Sequence, residues 1–211
     1  MSKIRVRYKK TGTAKYISHL DLMATMQRAF LRSGFGLKYS EGFNPHPYMS
    51  VALPLSVGCS SECELLDVGL IDDIMPDINN ISLPEGITII DAYVPTRKFN
   101  EIVWVEISWK LYYKNHDREE VIKRLEHSFN RDSIIISKKT KRGSKELDLA
   151  PYKKDMKFCN DDDIMITAKI SAQEPTLNPA DLESVIPEDI KPDFTDFKRI
   201  DIYDSNMVQF K

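Results

Sequence analysis

Two histidines, His19 and His46, have the side chains in this sequence that best suit acid–base chemistry. An imidazole ring gains or loses its proton near neutral pH, so each ring is a weak candidate for a general acid or base. His46 stands between Pro45 and Pro47, which favour an extended backbone and give its ring a fixed direction. No serine, cysteine or second carboxylate stands at a spacing typical of a catalytic site. Catalysis, binding and a structural hydrogen bond therefore all remain open for His46.

His19 stands at the predicted start of a helix. Ser18 before it fits the N-cap position, and Asp21 three residues later completes a capping pattern. An aspartate there also suits the positive end of the helix dipole. These residues either cap the helix and do nothing else, or form an anion-binding site from His19 and the unpaired backbone N–H groups of the first turn.

Aromatic and basic residues mix in the stretch 36–54, which reads GLKYSEGFNPHPYMSVALP. In recognition of single-stranded RNA, aromatic rings stack on bases and basic groups hold phosphates. The alternative for Phe43 is that it fills the core beneath its turn. We interpret the stretch as a shaped loop or ribbon that presents side chains to a partner. The candidate RNA- or partner-binding residues here are Arg28, Arg32, Lys38, Tyr39, Glu41, Phe43, Asn44, His46 and Tyr48.

Charge is distributed unevenly, although the net charge is only −2. Residues 1–50 contain nine Lys or Arg and two acidic residues, whereas residues 51–100 contain two basic and eight acidic residues. Residues 138–157 contain eight basic and three acidic residues. Such basic regions suit either a phosphate backbone or plain exposure to water. The second set of binding candidates is Lys138, Lys139, Lys141, Arg142 and Lys145.

Several functional classes are disfavoured by what the sequence lacks. No apolar run approaches the length of a membrane span, and no apolar segment follows the charged N-terminus, so we expect a cytoplasmic chain with no membrane association. Three cysteines, Cys59, Cys63 and Cys159, suit neither a disulfide framework nor a zinc site. We find no P-loop, GxGxxG, HExxH or GxSxG motif. The sequence therefore predicts no metal site and no cofactor.

The positions of these residues depend on the secondary structure that hydrophobic periodicity predicts for the first half. Its predicted helix has Leu20, Met23, Ala24, Phe30 and Leu31 on or near an apolar stripe. Gly58–Glu62 is predicted to be a turn, and Ile87–Val94 a buried strand. The predicted order is a strand at Ile4–Lys10, a helix at His19–Arg32, strand segments at Leu37–Ser40 and Met49–Leu55, a strand at Cys63–Ile71, a short helix from Asp72 and a strand at Ile87–Val94.

The second half repeats this order after a linker at Pro95–Asn100. Its predicted elements are a strand at Ile102–Tyr113, a helix at Asp117–Phe129, a strand at Ser133–Ser137, a basic hairpin-like excursion at Lys138–Asp163, a strand at Ile164–Ala172, a helix from Pro179 and a strand at Phe197–Tyr203. Strand, helix, strand, strand, helix, strand is the ferredoxin-like order. We therefore predict an α+β fold of two tandem ferredoxin-like (βαββαβ) domains with antiparallel sheets, at residues 1–96 and 97–211.

Several motifs carry a resemblance to a known family. They are HLD at 19–21, RSG at 32–34, YSEGFNPHP at 39–47, LPEG at 83–86 and GSKELDLAPY at 143–152. On these residues the chain resembles the radical-SAM-linked protein family, an uncharacterised bacterial family encoded beside or fused to a cobalamin-binding-type radical SAM protein. The resemblance implies association with that enzyme. Cys59 and Cys63 lack the third cysteine of a radical SAM cluster, so the chain is not the catalyst.

These observations lead to one main hypothesis and two alternatives. The main hypothesis is a non-catalytic accessory protein that binds the RNA substrate of the radical SAM enzyme, such as tRNA or rRNA. The first alternative is a metal-independent endoribonuclease of the tandem ferredoxin-like type, with His19 or His46 as acid or base. The second is a protein–protein docking module that binds the radical SAM enzyme through the GFNPHP ribbon.

Overall fold

The computed structural model describes residues 2–71, 77–140 and 143–211. These residues group into two compact units, one ending at Glu101 and the other running from Ile102 to Phe210. Within each unit the strands pair antiparallel, and helices accompany them. The predicted α+β class with antiparallel sheets is confirmed. The domain boundary after residue 96 stays a prediction.

Unit 1 contains one sheet with strands in the order β4–β1–β3–β2. Its elements are β1 (Ser2–Lys10), α1 (His19–Arg32), β2 (Met49–Val51), β3 (Ser60–Leu70) and β4 (Ile87–Tyr93). β3 begins at Ser60, so the prediction of a turn through Glu62 is wrong; Gly58, with a φ of 88°, makes that turn. β2 ends at Val51, before Pro54, which has no N–H to donate to a ladder. The helix predicted from Asp72 begins outside the described residues.

Helix α1 has the predicted bounds because its first turn is capped. The Ser18 hydroxyl accepts a hydrogen bond from the Asp21 N–H at 3.1 Å and donates one to the Asp21 carboxylate at 2.7 Å. After the helix, Gly34 adopts a φ of 79°, the left-handed conformation that ends many helices. The predicted capping pattern is therefore confirmed.

The predicted apolar stripe of α1 is correct for Phe30, which is buried, and for Met23, which packs against the core, but wrong for the two leucines. Leu20 and Leu31 are 78% and 43% exposed. The face packed against the sheet consists of Leu22, Met26, Ala29 and Phe30. These four recur at the i, i+4, i+7, i+8 spacing of one helix face, and the leucines of the predicted stripe lie off that face. On the sheet they pack against a core that includes Ile4, Val6, Tyr8, Leu66, Val68 and Leu70.

Strand β4 was predicted to be buried, and it is not. Only its first residue, Ile87, is buried, while Thr88 is exposed and the remaining five are partly exposed. Among the described residues, β4 forms the edge of the sheet and pairs with β1 alone, so one side of the strand has no neighbouring strand there. Edge strands expose more of their side chains than central strands do.

The face of the unit 1 sheet turned away from α1 is polar. Ile4, Val6 and Tyr8 face α1, so the alternating residues of β1 face the other side. One of them, Arg5, is completely buried and forms two hydrogen bonds with Asp67, at 2.7 and 3.1 Å. We call this side of the sheet the polar face.

Unit 2 contains a sheet in the order β10–β5–β9–β8 and a separate two-stranded hairpin, β6–β7. Its elements are β5 (Trp104–Tyr112), α2 (Arg118–Phe129), β6 (Ile135–Thr140), β7 (Gly143–Asp148), β8 (Lys153–Asn160), β9 (Ile164–Ser171), α3 (Pro179–Glu183) and β10 (Phe194–Tyr203). The segment Ser133–Ser137 was predicted to be the second strand of the main sheet. It forms the hairpin instead, and β8 pairs with β9 in its place.

The helices of unit 2 follow their sequence signals closely. Asp117 caps α2 through the Glu119 N–H, and the predicted apolar residues Val121, Leu125 and Phe129 are buried. Asn178 caps α3 in a capping box with Asp181, and Pro179 takes the first helical position. Within the described residues, no helix is long and apolar enough to cross a membrane.

The buried Arg5–Asp67 pair yields a stability prediction. Asp67→Ala leaves the Arg5 charge buried without its carboxylate, so we expect a loss of about 3–5 kcal/mol in the free energy of unfolding. The control is Asp91→Ala, which breaks a more exposed ion pair with Arg7 and should cost about 1 kcal/mol or less. Urea unfolding measures both. Equal losses of unfolding free energy in Asp67→Ala and Asp91→Ala would contradict the central role of the buried pair.

Candidate functional site

Residues 37–48 form a narrow antiparallel ribbon, as the sequence suggested. Its two sides are joined by backbone hydrogen bonds from Ser40 N–H to the His46 carbonyl at 2.9 Å and from Tyr48 N–H to the Lys38 carbonyl at 2.8 Å. The strand predicted at Leu37–Ser40 is reduced to isolated bridges, one of them between Tyr39 and Pro47. Pro47 has no N–H to extend the ladder. The tip, residues 41–45, is fully on the surface.

Gly69 of β3 anchors the ribbon to the sheet. Its carbonyl accepts a hydrogen bond from the Lys38 N–H at 2.9 Å, and its own N–H donates to the Tyr48 carbonyl at 2.8 Å. A Cβ at this position would lie 3.0 Å from the Tyr48 Cβ. A side chain at this position would therefore require the ribbon to shift away from the polar face. Sequence reasoning missed Gly69, because nothing in its own neighbourhood marks it.

His46 is exposed, and its ring is held by the ribbon itself. The ring Nδ1 lies 3.0 Å from the Ser40 hydroxyl and 3.3 Å from the Asn44 carbonyl, and the His46 N–H donates to the same hydroxyl at 3.1 Å. In the described part of the chain, no hydrogen bond or ion pair joins His46 to a carboxylate. His19 is exposed in the first turn of α1. The geometry therefore gives His46 a hydroxyl partner in Ser40 but, among the described residues, no carboxylate partner.

The aromatic side chains of the ribbon face water. Phe43 is fully exposed at the tip, which excludes the interpretation that it fills the core. Tyr39 and Tyr48 are 38% and 43% exposed, and Lys38 Nζ lies 5.9 Å from the centre of the Tyr48 ring. Glu41 and Asn44 are exposed at the tip as well. The ribbon thus presents three rings and one lysine to solvent.

The polar face continues from the ribbon into a cleft of about 330 Å³. Beneath it, the Asp67 carboxylate binds Arg5 and, at 2.8 Å, Lys3 Nζ. Arg5 also donates to the Arg97 carbonyl at 2.9 Å, and its guanidinium lies 4.2 Å from the centre of the Phe99 ring. The cleft is lined by Lys3, Tyr48, Met49, Ser50, Asp67, Gly69, Lys98 and Phe99. Apart from Tyr48, none of these was a sequence candidate.

The two arginines predicted to join the ribbon lie elsewhere in unit 1. Arg28 and Arg32 are exposed on α1, which covers the opposite face of the sheet. Arg32 donates to the Ser82 carbonyl at 3.2 Å. These arginines therefore do not line the cleft with the ribbon aromatics. Their spacing of four residues correctly predicted that both arginines share one face of the helix. The sequence did not show which side of the sheet that helix covers.

The second predicted basic segment lies in unit 2, on the β6–β7 hairpin. Lys138 and Lys145 are directly opposite each other in the hairpin, and Lys145 is exposed. Lys138 forms an ion pair with Asp181, the residue that completes the α3 capping box. This contact joins Lys138 to the start of α3, and its role in binding stays a prediction. The Lys139 side chain and residues 141 and 142, predicted as binding residues, lie outside the described part of the chain.

The unit 2 sheet presents its own pairs of lysine and aromatic side chains. Lys154 Nζ lies 4.3 Å from the centre of the Trp104 ring, and Lys169 Nζ lies 5.3 Å from that of Tyr203. Lys169 also binds Asp155 at 2.7 Å, and this hydrogen bond raises the pKa of Lys169 and lowers that of Asp155. The sequence interpretation did not single out these residues. The signal that could have identified them is the alternation of residue types along the strands, which shows which side chains share one face of the sheet.

The cysteines do not form a cluster with other ligands. Cys59 and Cys63 are buried, Cys159 is exposed, and none of the three forms a disulfide. Among the described residues, no group of three or more His, Cys, Asp or Glu side chains is arranged to hold a metal ion.

Comparison with protein families identifies the chain. A family model matches residues 3–179, which include the ribbon, the cleft and the β6–β7 hairpin. The chain belongs to the bacterial family described as "Uncharacterized protein conserved in bacteria (DUF2344)". The predicted membership of an uncharacterised bacterial family is confirmed, while the link to a radical SAM protein is not part of this family's description. A comparison with curated proteins found no match.

The contact at Gly69 predicts a graded response to substitution. Gly69→Ala brings a Cβ to 3.0 Å from the Tyr48 Cβ and requires a small shift, and we expect the two further methyl groups of Gly69→Val to require a larger one. We expect faster amide hydrogen exchange in residues 37–49, stronger for valine than for alanine, because the two hydrogen bonds to Gly69 open. Exchange in α1 serves as the control. Unchanged exchange in the ribbon would contradict this anchoring.

Proposed function

We propose that this chain is a non-catalytic accessory protein that binds single-stranded RNA through the ribbon and the polar face of unit 1. The observation that carries the proposal is the exposure of Phe43, Tyr39 and Tyr48 beside Lys38 on a ribbon held at both ends. Aromatic rings in water offer stacking surfaces to unpaired bases, and lysines attract phosphates.

Local charge supports an anionic ligand at this surface. Lys3, Lys38 and Lys98 lie along the polar face, and the one carboxylate among the cleft residues, Asp67, is already bound by Arg5 and Lys3. A carboxylate shared between two cations repels a phosphate less than an isolated one does. Glu41 at the ribbon tip is the acidic exception, so we assign phosphate contacts to the base of the ribbon and stacking to Phe43.

We also propose that both units are ferredoxin-like. In each sheet the first and third strands of the predicted order are central, β1 with β3 in unit 1 and β5 with β9 in unit 2. That arrangement suits two ferredoxin-like units, the second enlarged by the β6–β7 hairpin. In unit 1 the predicted second helix begins outside the described residues, so the proposal rests on the strand order. Ferredoxin-like sheets are frequent platforms for RNA, as in the RRM.

The partner in this proposal is a radical SAM protein encoded nearby, for which RNA would be the substrate. This part rests on the resemblance of the HLD, RSG and YSEGFNPHP motifs to the radical-SAM-linked family. The chain would hold the RNA while the partner carries out the chemistry. An endoribonuclease is less well supported, because His46 is held by Ser40 and Asn44 and is joined to no carboxylate in the described residues.

Phe43 allows a direct test of RNA binding. We expect Phe43→Ala to raise the Kd for a labelled single-stranded RNA of mixed sequence about tenfold, because stacking is worth about 1–3 kcal/mol per base. Fluorescence anisotropy measures the change. Tyr16→Ala is the matched control, because Tyr16 is 60% exposed and has Lys15 5.4 Å from its ring, but lies outside the ribbon.

The same assay at several salt concentrations tests the lysine. Lys38→Gln should make the slope of log K against log salt less negative by about 0.7, the value for one phosphate contact on a single strand. No binding of RNA at low or high salt would refute the proposed function. An equal loss of RNA affinity in Phe43→Ala and Tyr16→Ala would show that the binding surface is not the ribbon.

The proposed partner is tested by co-expression with the radical SAM protein encoded beside this chain. We expect the two proteins to elute together after nuclease treatment, in wild type and in Phe43→Ala alike, because the ribbon is assigned to RNA. Co-elution that Phe43→Ala abolishes, with RNA binding intact, would assign the ribbon to protein docking instead. Failure to co-elute in any variant would remove the radical SAM partner from the proposal.

A further inference from the structure

The cleft on the polar face has the dimensions of a small-molecule site. Its volume is about 330 Å³, at the lower end of the range for ligand pockets in proteins. It lies where the ribbon, β2, β3 and the segment after β4 meet within unit 1. Gly69 at its base has no side chain, which leaves the space above β3 open.

Two aromatic rings line this cleft, and one is held firmly in place. Phe99 lies against the Arg5 guanidinium, 4.2 Å from ring centre to Cζ, and Arg5 is itself held by Asp67 and the Arg97 carbonyl. Tyr48 is positioned by the two ribbon hydrogen bonds of its backbone, to Lys38 and to Gly69. A wall that is ordered before binding loses little conformational entropy when a ligand arrives.

The charged groups of the cleft favour an anion. Lys3 and Lys98 line it, and Arg5 lies beneath it, so three cations accompany Asp67, the one carboxylate among the described lining residues. The local balance is thus positive by two charges. Ser50, directly opposite Asp67 in the β2–β3 pairing, adds an exposed hydroxyl. A ligand that matches these groups combines a flat ring with a negative group.

We infer that this cleft binds a single nucleotide of the RNA, with its base against Tyr48 and Phe99 and its phosphate near Lys3 and Lys98. The inference rests on the proposed function and deepens it, because it separates one specific pocket from the stacking surface at the ribbon tip. The Ser50 hydroxyl is then placed to donate or accept a hydrogen bond at the edge of the base or at the ribose.

The test uses the full chain and isothermal titration calorimetry with free nucleotides. We expect at least one of AMP, GMP, CMP and UMP to bind, more tightly than its nucleoside or inorganic phosphate does. Lys98→Gln should weaken the monophosphate about fivefold and leave the nucleoside unchanged, because it removes a charge-assisted contact to the phosphate. Tyr48→Leu should weaken both ligands about tenfold through lost stacking.

A matched control and the exposure of Lys98 keep the result interpretable. Lys123→Gln removes the same charge from an exposed position on α2 of unit 2 and should leave nucleotide affinity unchanged. Lys98 is exposed, so its replacement tests the cleft without removing Arg5 or Phe99 from the fold.

The outcomes separate this inference from the proposed function. RNA oligomers that bind while all four monophosphates fail would overturn the nucleotide pocket and leave RNA binding standing. Monophosphates that bind equally well to Lys98→Gln and Tyr48→Leu would also overturn it, because they would bind elsewhere. Monophosphates that bind with the predicted losses, while oligomers fail, would support the pocket and refute the RNA-binding function.

Discussion

The buried pair of Arg5 and Asp67 is the interaction on which the polar face of unit 1 depends. Burying a guanidinium is unfavourable unless its charge is matched and its N–H groups are bonded, and Asp67 meets this need through two hydrogen bonds. Arg5 also donates a hydrogen bond to the Arg97 carbonyl and packs against the Phe99 ring. One ion pair therefore joins β1 to β3 and positions the segment that completes the cleft. The hydrophobic core lies on the other face, against α1.

The ribbon is ordered by a different kind of interaction. Few of its side chains are buried, so backbone hydrogen bonds, two prolines and the Ser40 hydroxyl give it shape. Gly69 then holds it against the sheet. This design leaves Phe43 fully exposed at the tip of the ribbon. An aromatic ring presented in this way gains contact area on binding and loses little freedom, which suits recognition more than folding.

The sequence predicted most elements and the general location of the candidate site. Both halves showed their strands through alternation and their long helices through caps, and these signals depend on neighbouring residues alone. Errors arose where the same local pattern fits two structures. Ser133–Ser137 alternates as a sheet strand would, yet pairs in the β6–β7 hairpin. Leu20 and Leu31 are apolar, yet lie away from the helix face that packs. Apart from Tyr48, the residues of the cleft were missed, because they are scattered along the chain from Lys3 to Phe99.

By itself, the sequence determined the α+β class, the bounds of α1, the shape of the proline-bounded ribbon and the basic character of residues 1–50. Each depends on hydrogen bonds, torsion preferences or charges within a few residues of one another. The tertiary structure alone decided that Phe43 is exposed, that Arg28 and Arg32 lie across the sheet from the cleft, and that Arg5 is buried. Burial and pairing depend on contacts between distant residues, such as the 62 positions between Arg5 and Asp67, and no local pattern encodes them.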